Sequence, residues 1–258
     1  MTQFLDWNLF DETGILLLGQ VVPDEMIATM QSRIDDIMLG HADVDHSIML
    51  MQLDSTDGSY DSAGPQTKGH KGARLDYRKI EQLEYDRIFR EYMEQPVFEA
   101  VARRFYGNHA IACFRAMFMN KPAERGTALP MHQDRWSYLD RDPLLTIYTA
   151  LDDASIQNGC VLYLPGSHHT LLNPAHDSGF LTKEMASEYS EAELIPLELK
   201  AGEVAILHNW TLHKSGINHT GDSRRAFSVC LMDADTRVER TGELASESLI
   251  FNSVPAAN

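Results

Sequence analysis

Two histidines and one aspartate are the residues of this chain whose types and spacing most directly suggest chemistry: His132 and Asp134 in MHQDRW, and His213 in TLHKSG. Residues two apart on a strand point to the same face, so His132 and Asp134 would present an imidazole and a carboxylate to one ion. A third ligand cannot easily come from that same strand. His213 follows the strand-like run AGEVAILH, which the fold could bring alongside. Two histidines and one carboxylate on one flank of a metal leave three positions open, an arrangement suited to iron(II) that must take up a co-substrate and oxygen together. Zinc is more often held by four protein ligands, or by three with a single water.

The His-x-Asp triple is weak evidence alone. With 11 His and 21 Asp, about one such triple is expected by chance, and the chain has two. The other, His41-Ala42-Asp43 in HADVDH, follows a predicted helix end and reads as a solvated loop. His208, five residues before His213, is a rival ligand, but it closes the preceding strand and lacks the serine and arginine that follow His213.

The text around the triad is more specific. HQD (132–134), TALDD (149–153), QNGC (157–160), LPGSHH (164–169), LHKSGIN (212–218) and SRRAF (223–227) occur in that order. Together they resemble the phytanoyl-CoA dioxygenase family of iron(II)- and 2-oxoglutarate-dependent oxygenases. The resemblance is strong over roughly 111–232 and extends weakly to FDETGILLLGQVVPDEMI near the N-terminus. It implies a double-stranded β-helix of the jelly-roll or cupin type, with His132, Asp134 and His213 as iron ligands. It implies iron(II), 2-oxoglutarate and O2 as the cofactor and co-substrates, and hydroxylation of a C–H bond as the default outcome, since an intact Asp134 argues against halogenation.

The family's 2-oxoglutarate arginine stands eleven residues after the distal histidine, which here is Arg224, with Arg225 the rival if the loop differs by one residue. A guanidinium suits this task because its planar fork meets a carboxylate in two-pronged fashion. Ser215, on the same face as His213 in an extended segment, could donate to the same carboxylate. Tyr148, Met117 and Lys79 occupy positions that line the co-substrate pocket in the family. Each also has an ordinary reading, as core packing or a solvated charge. Arg135, Trp136 and Tyr138, just beyond the ligand strand, are expected to face substrate, Trp136 as an apolar wall and Arg135 as an anionic anchor. The polar stretch around 54–73 is expected to be an exposed loop, able to close over the site. Asn158 and Gly159 read as turn-formers, and His168 and His169 as surface loop residues. Two other classes compete with the oxygenase: a catalytically silent jelly-roll module that binds metal or ligand, and a zinc hydrolase on a barrel.

The elements that must hold these residues are legible in outline. Ile15–Leu18 reads as a strand, and Pro23 and Asp24 open a helix with Ile27, Met30, Ile34 and Ile37 on one face and Gly40 as its stop. A helical stretch from about Ile80 to Phe105 is expected to break at Pro96. From Ile111 onward, short β-rich runs at 111–120, 144–151, 159–166, 201–208 and 224–232 argue for a sandwich or jelly roll. Residues 170–190 form a polar, partly helical insertion. One domain is expected over 1–258, with a helical part to about 108 and the jelly-roll core over about 109–235.

Composition sets the remaining bounds. A formal charge of -16 and a pI near 5.0 speak against nucleic acid or an anionic membrane as partner; a small-molecule substrate is what the family resemblance implies. Beyond Arg103-Arg104 no basic cluster is visible, which disfavours a polyanionic thioester. The N-terminal MTQFLDWNLFDETG has no basic leader region, so a cytoplasmic location is expected. Cys113, Cys160 and Cys230 are expected to be buried free thiols. Oligomeric state has no signature.

Overall fold

The computed structural model of the protein describes residues 5–255. Two antiparallel sheets form its framework. The larger contains β1 (Ile15–Gln20), β2 (Leu50–Leu53), β3 (Thr67–Lys68), β4 (Tyr77–Glu81), β5 (Ile111–Lys121), β7 (Leu145–Ala150), β10 (Glu203–His208), β12 (Arg224–Asp233) and β13 (Leu249–Phe251). Its order is β1-β10-β7-β12-β5-β4-β2-β3, with β13 added on β5. The smaller contains β6 (Leu129–His132), β8 (Val161–Tyr163), β9 (Ile195–Leu197) and β11 (His213–Ser215), in the order β6-β11-β8-β9. This is the jelly-roll architecture.

The central strands read as almost continuous apolar runs because both of their faces are covered. Along β12, Phe227, Val229 and Leu231 pack toward the helices, with Ile147 of β7 and Val204 and Ile206 of β10. The alternate residue Ala226 packs with Tyr148, Ala205 and Leu207 on the side that faces the smaller sheet. The helical layer comprises α1 (Trp7–Thr13), α2 (Asp24–Leu39), α3 (Arg87–Met93) and α4 (Pro96–Tyr106). The predicted stripe Ile27, Met30, Ile34 and Ile37 is buried in this core. Gly40 ends α2 in the left-handed conformation at φ 77°, where a side chain would be strained. Pro96 opens α4, where its missing N–H costs nothing.

Three expectations need correction. The stretch from Ile80 is not helical at its start: Ile80 and Glu81 complete β4, because Glu81 pairs with Met117 and Ile80 with Phe118 of β5. The part before residue 108 is not purely helical either, since it supplies β1 to β4 of the large sheet, and β13 extends that sheet beyond residue 235. Short strands stabilised by long-range pairing leave little local periodicity to read. His168 is buried, not a surface residue; it packs against Phe10 and His208, whereas His169 is exposed. The insertion after β8 carries one short helix, α5 (Lys183–Ala186). All three cysteines are buried and free, as expected. No helix among the described residues is long and apolar enough to cross a membrane.

Glu84 is a buried acid outside any site. It lies in the single turn Leu83–Tyr85, and its Oε2 has no partner among the described residues. Burial pushes its carboxyl up to about 7. The folded state therefore holds this proton more tightly than the unfolded chain, so stability falls as pH rises from the ordinary carboxyl range to about 7, and the full cost is present above that. Glu84→Gln should stabilise the protein at about pH 8, by an amount on the order of 1–3 kcal/mol, and have little effect near pH 4. Thermal unfolding at the two pH values checks this; equal gains at both would rule out the carboxyl as the cause.

Candidate active site

The site forms where the end of β6 meets β11. His213 stands directly opposite His132 in the antiparallel register of these two strands, and their rings lie 4.2 Å apart. A cross-strand pair thus brings together two residues remote in sequence. Asp134 does not sit on the strand itself, because β6 ends at His132. Its backbone N–H bonds instead to the Asn209 carbonyl at 2.7 Å, which holds the carboxylate on the ligand side. His132 Nε2 and Asp134 Oδ1 are 3.8 Å apart, and one ligand atom from each of His132, Asp134 and His213 lies within 4.8 Å of the other two. Among the described residues this is the one group so placed. The HADVDH cluster does not form such a group, and His208 packs with His168 and Phe10.

The donor set fits a divalent metal. His132 Nδ1 bonds to the Pro130 carbonyl at 2.8 Å and His213 Nδ1 to the Thr211 carbonyl at 2.9 Å. Each bond directs the Nε2 lone pair inward, as metal-bound imidazoles require. Burial, reinforced by His213, pushes His132 down to about 3, so its imidazole is neutral. Burial works to raise the Asp134 carboxyl, but His213 and Arg115 hold it below its ordinary value.

The residue between His132 and Asp134, Gln133, points the other way and is fully buried. Its amide donates to the carbonyls of Thr170 at 2.8 Å and Trp210 at 2.6 Å and accepts from the Leu172 N–H at 2.7 Å. The insertion is thereby fixed to β6, and it places the Phe180 ring flat against His132 at 4.6 Å.

A cavity of about 340 Å³ opens from His132, Asp134 and His213 between the sheets. Arg224, Ser215, Tyr148, Met117 and Lys79 all line it, as do Arg135 and Trp136. Tyr138 is half exposed and is not among the lining residues. Arg224 is buried, donates to the Tyr148 hydroxyl at 2.6 Å and to the Gly159 carbonyl at 2.8 Å, and keeps its Nε without a partner. Gly159 is thus more than a turn residue: at φ 74°, a Cβ there would come within 2.7 Å of the Gly216 carbonyl. Arg225, on the opposite face of β12, is bound to Asp152 and Asp35 and is not among the residues that line the cavity. Trp136 packs edge-on to Phe114 and beneath the Arg115 guanidinium while also facing the cavity. Arg135 donates to the Pro174 carbonyl. The 54–73 stretch is not wholly an exposed loop, since Asp54 and Ser55 are buried and it contains β3; it contributes Tyr60 and Gln66 to the wall.

Two residues that touch the His132–Asp134–His213 group escaped the sequence reading. Arg115 lies 3.9 Å from Asp134 and 4.0 Å from Glu81; a lone arginine inside the apolar run IACFRAMFMN was the available signal, since a charge in a covered strand needs a partner. Phe180 gave none, because its place depends on how the insertion folds back.

The family model described as phytanoyl-CoA dioxygenase (PhyH) matches residues 10–226. The chain is 29% identical over 259 residues to the mouse phytanoyl-CoA dioxygenase domain-containing protein 1, covering 87% of this chain and 88% of the mouse protein. Among solved structures it is similar to EctD from S. alaskensis with 2-oxoglutarate and 5-hydroxyectoine, at TM-score 0.69 and 19% identity over 90% of this chain and 76% of that one. It is also similar to the non-heme alpha ketoglutarate dependent epimerase SnoN from nogalamycin biosynthesis, at TM-score 0.66 and 20% identity over 92% and 85%. With a family match that spans most of the chain, over a jelly roll that gathers two histidines, an aspartate and a buried arginine around one cavity, the protein belongs to the phytanoyl-CoA dioxygenase family and is an iron(II)- and 2-oxoglutarate-dependent dioxygenase.

Proposed function

We propose that the protein hydroxylates an unactivated C–H bond of a small organic molecule, with His132, Asp134 and His213 holding the iron and Arg224 holding the distal carboxylate of 2-oxoglutarate. The observation that carries this reading is the convergence of three ligand atoms beside a cavity whose far wall presents a buried guanidinium with no carboxylate partner among the described residues. Bound iron(II) and 2-oxoglutarate supply the oxidising power, one oxygen atom of O2 going to the substrate and the other to succinate, with CO2 released.

The chain's own residues bind, orient and exclude water. Tyr148 and Gly159 hold the Arg224 fork from one side, so its orientation is set before a carboxylate arrives. Ser215 adds a hydroxyl donor on the same wall. Met117 and Tyr148 give this end of the cavity an apolar lining, Lys79 stands at its margin, and Trp136 with Phe180 shields the ligands from solvent. Arg135 and Trp136 face the space left for substrate, with Tyr138 further out.

Anaerobic addition of iron(II) and 2-oxoglutarate should produce a visible charge-transfer band, and admission of oxygen should yield succinate together with a substrate-derived product heavier by one oxygen. A protein that forms no band and turns over in zinc without oxygen would be a hydrolase.

A further inference from the structure

The chain carries 38 acidic and 22 basic residues, yet its active-site cavity reverses that balance. Seven Lys and Arg side chains line the cavity against a single carboxylate, Asp134. Most of these cations are already matched. Lys79 pairs with Glu81 at 2.8 Å, Arg115 stands between Glu81 and Asp134, Arg135 lies 3.9 Å from Asp142, and Lys214 meets Glu191. Lys121 donates to the Thr127 carbonyl and, by burial and the neighbouring Arg224, is driven well below its ordinary value. Two guanidiniums remain without a carboxylate within 4 Å among the described residues: Arg224 and Arg78. One distal carboxylate of 2-oxoglutarate answers Arg224. Arg78 has no such counterpart.

Arg78 is placed there by a local irregularity. Gln52 pairs with Lys79 and Leu53 with Tyr77, so Arg78 is an extra residue in β4 opposite the Gln52/Leu53 step. Such a bulge re-aims a side chain, and here Arg78 and Lys79, adjacent in sequence, both reach the cavity wall. The Arg78 guanidinium donates to Gln52 Oε1 at 2.7 Å and lies 5.2 Å over the Tyr60 ring, which leaves most of its five donors unused. Asp54, whose charge reaches it, is committed elsewhere, to the Gly126 and Thr127 N–H groups at 3.1 and 2.9 Å. The Tyr60 ring centroid lies 5.5 Å from that of Phe180, and Phe180 stacks on His132 at 4.6 Å, so Arg78 and the three metal-binding candidates border one cavity, joined along its wall by two rings.

We propose that Arg78, with Tyr60 and Gln52 beside it, is the recognition site for an anionic oxygen group of the substrate, a carboxylate or a phosphoryl group, whose carbon chain then extends toward His132, Asp134 and His213. This rests on the oxygenase reading and deepens it by naming the substrate class. A planar guanidinium held by a single neutral partner on an aromatic face is an anion receptor with its charge unspent.

The test uses the full chain loaded with iron(II) and saturating 2-oxoglutarate under argon, with four probes of equal chain length: hexanoate, hexylphosphonate, hexanol and hexyltrimethylammonium. Calorimetric titration should show at least one anionic probe binding ten or more times more tightly than the neutral and cationic ones. Whether hexanoate or hexylphosphonate is preferred assigns the headgroup. In Arg78→Ala and in Arg78→Gln, which keeps a side chain over Tyr60, that preference should disappear while the visible band of the 2-oxoglutarate complex remains.

No anion preference in the wild-type protein, a measurement independent of how well either variant folds, would overturn the proposal. So would an anion preference unchanged in both variants, or a variant that needs more 2-oxoglutarate and binds the probes as before. The oxygenase reading is tested separately by the band. A band with no anion preference sinks the Arg78 assignment alone, whereas an anion preference without a band removes the enzyme reading and the substrate role with it.

Discussion

Asp134→Ala is expected to abolish succinate formation and to lower iron affinity by more than about 100-fold, since losing only an outer partner of a metal ligand already costs 10–100-fold. His213→Ala should behave alike. Neither change should unfold the protein. The Asp134 segment is held by its backbone bond to Asn209, and β11 by its pairing with β6 and β8, so the unfolding midpoint should move little. Iron binding by calorimetry, succinate by mass spectrometry and thermal unfolding measure the three quantities. Full turnover in either variant would refute the ligand assignment; loss of activity together with loss of fold would show that the side chains support the structure rather than the metal.

The second large effect separates two neighbours. Arg224→Ala should raise the 2-oxoglutarate concentration needed for half-maximal succinate release by about 10- to 150-fold, because a charge-assisted bond to a carboxylate is worth about 1.5–3 kcal/mol. Arg225→Ala should leave that concentration unchanged and lower stability instead. It removes a two-pronged contact with Asp152, at 2.8 Å for each prong, and a bond to Asp35 at 2.9 Å. Initial rates across a 2-oxoglutarate series, with unfolding midpoints, distinguish the two; the opposite pattern would place the co-substrate on the other face of β12.

Why the sequence could nominate Arg224 yet leave Arg225 as a rival is physical. The side chains of a strand alternate, so a one-residue error in register exchanges a cavity residue for one on the helical side. Spacing from His213 pointed to Arg224; only its pairing with Lys121 of β5, beside the cavity, shows which way it faces. His132 and His213 were legible as types because motifs surround them, but their opposition across β6 and β11 is a property of register. Helices with caps or proline starts, such as α2 and α4, were readable, whereas β2, β3 and β13 are short and depend on distant partners. The basic cavity wall was invisible for the same reason. Its cations come from β4, β5, β11, β12 and the segment after β6, so no window of sequence contains a cluster, and the acidic total conceals the local reversal.

The ring that covers His132 comes from neither sheet. Phe180 is delivered by a segment that bonds to Gln133, just past β6, and to Met131 of β6, whose carbonyl accepts the Leu181 N–H at 3.0 Å. Substitutions elsewhere in that segment can therefore recontour the chamber roof while the ladder carrying the imidazoles stays untouched. In a scaffold of this kind, new selectivity and retained reactivity are governed by separate stretches of polypeptide.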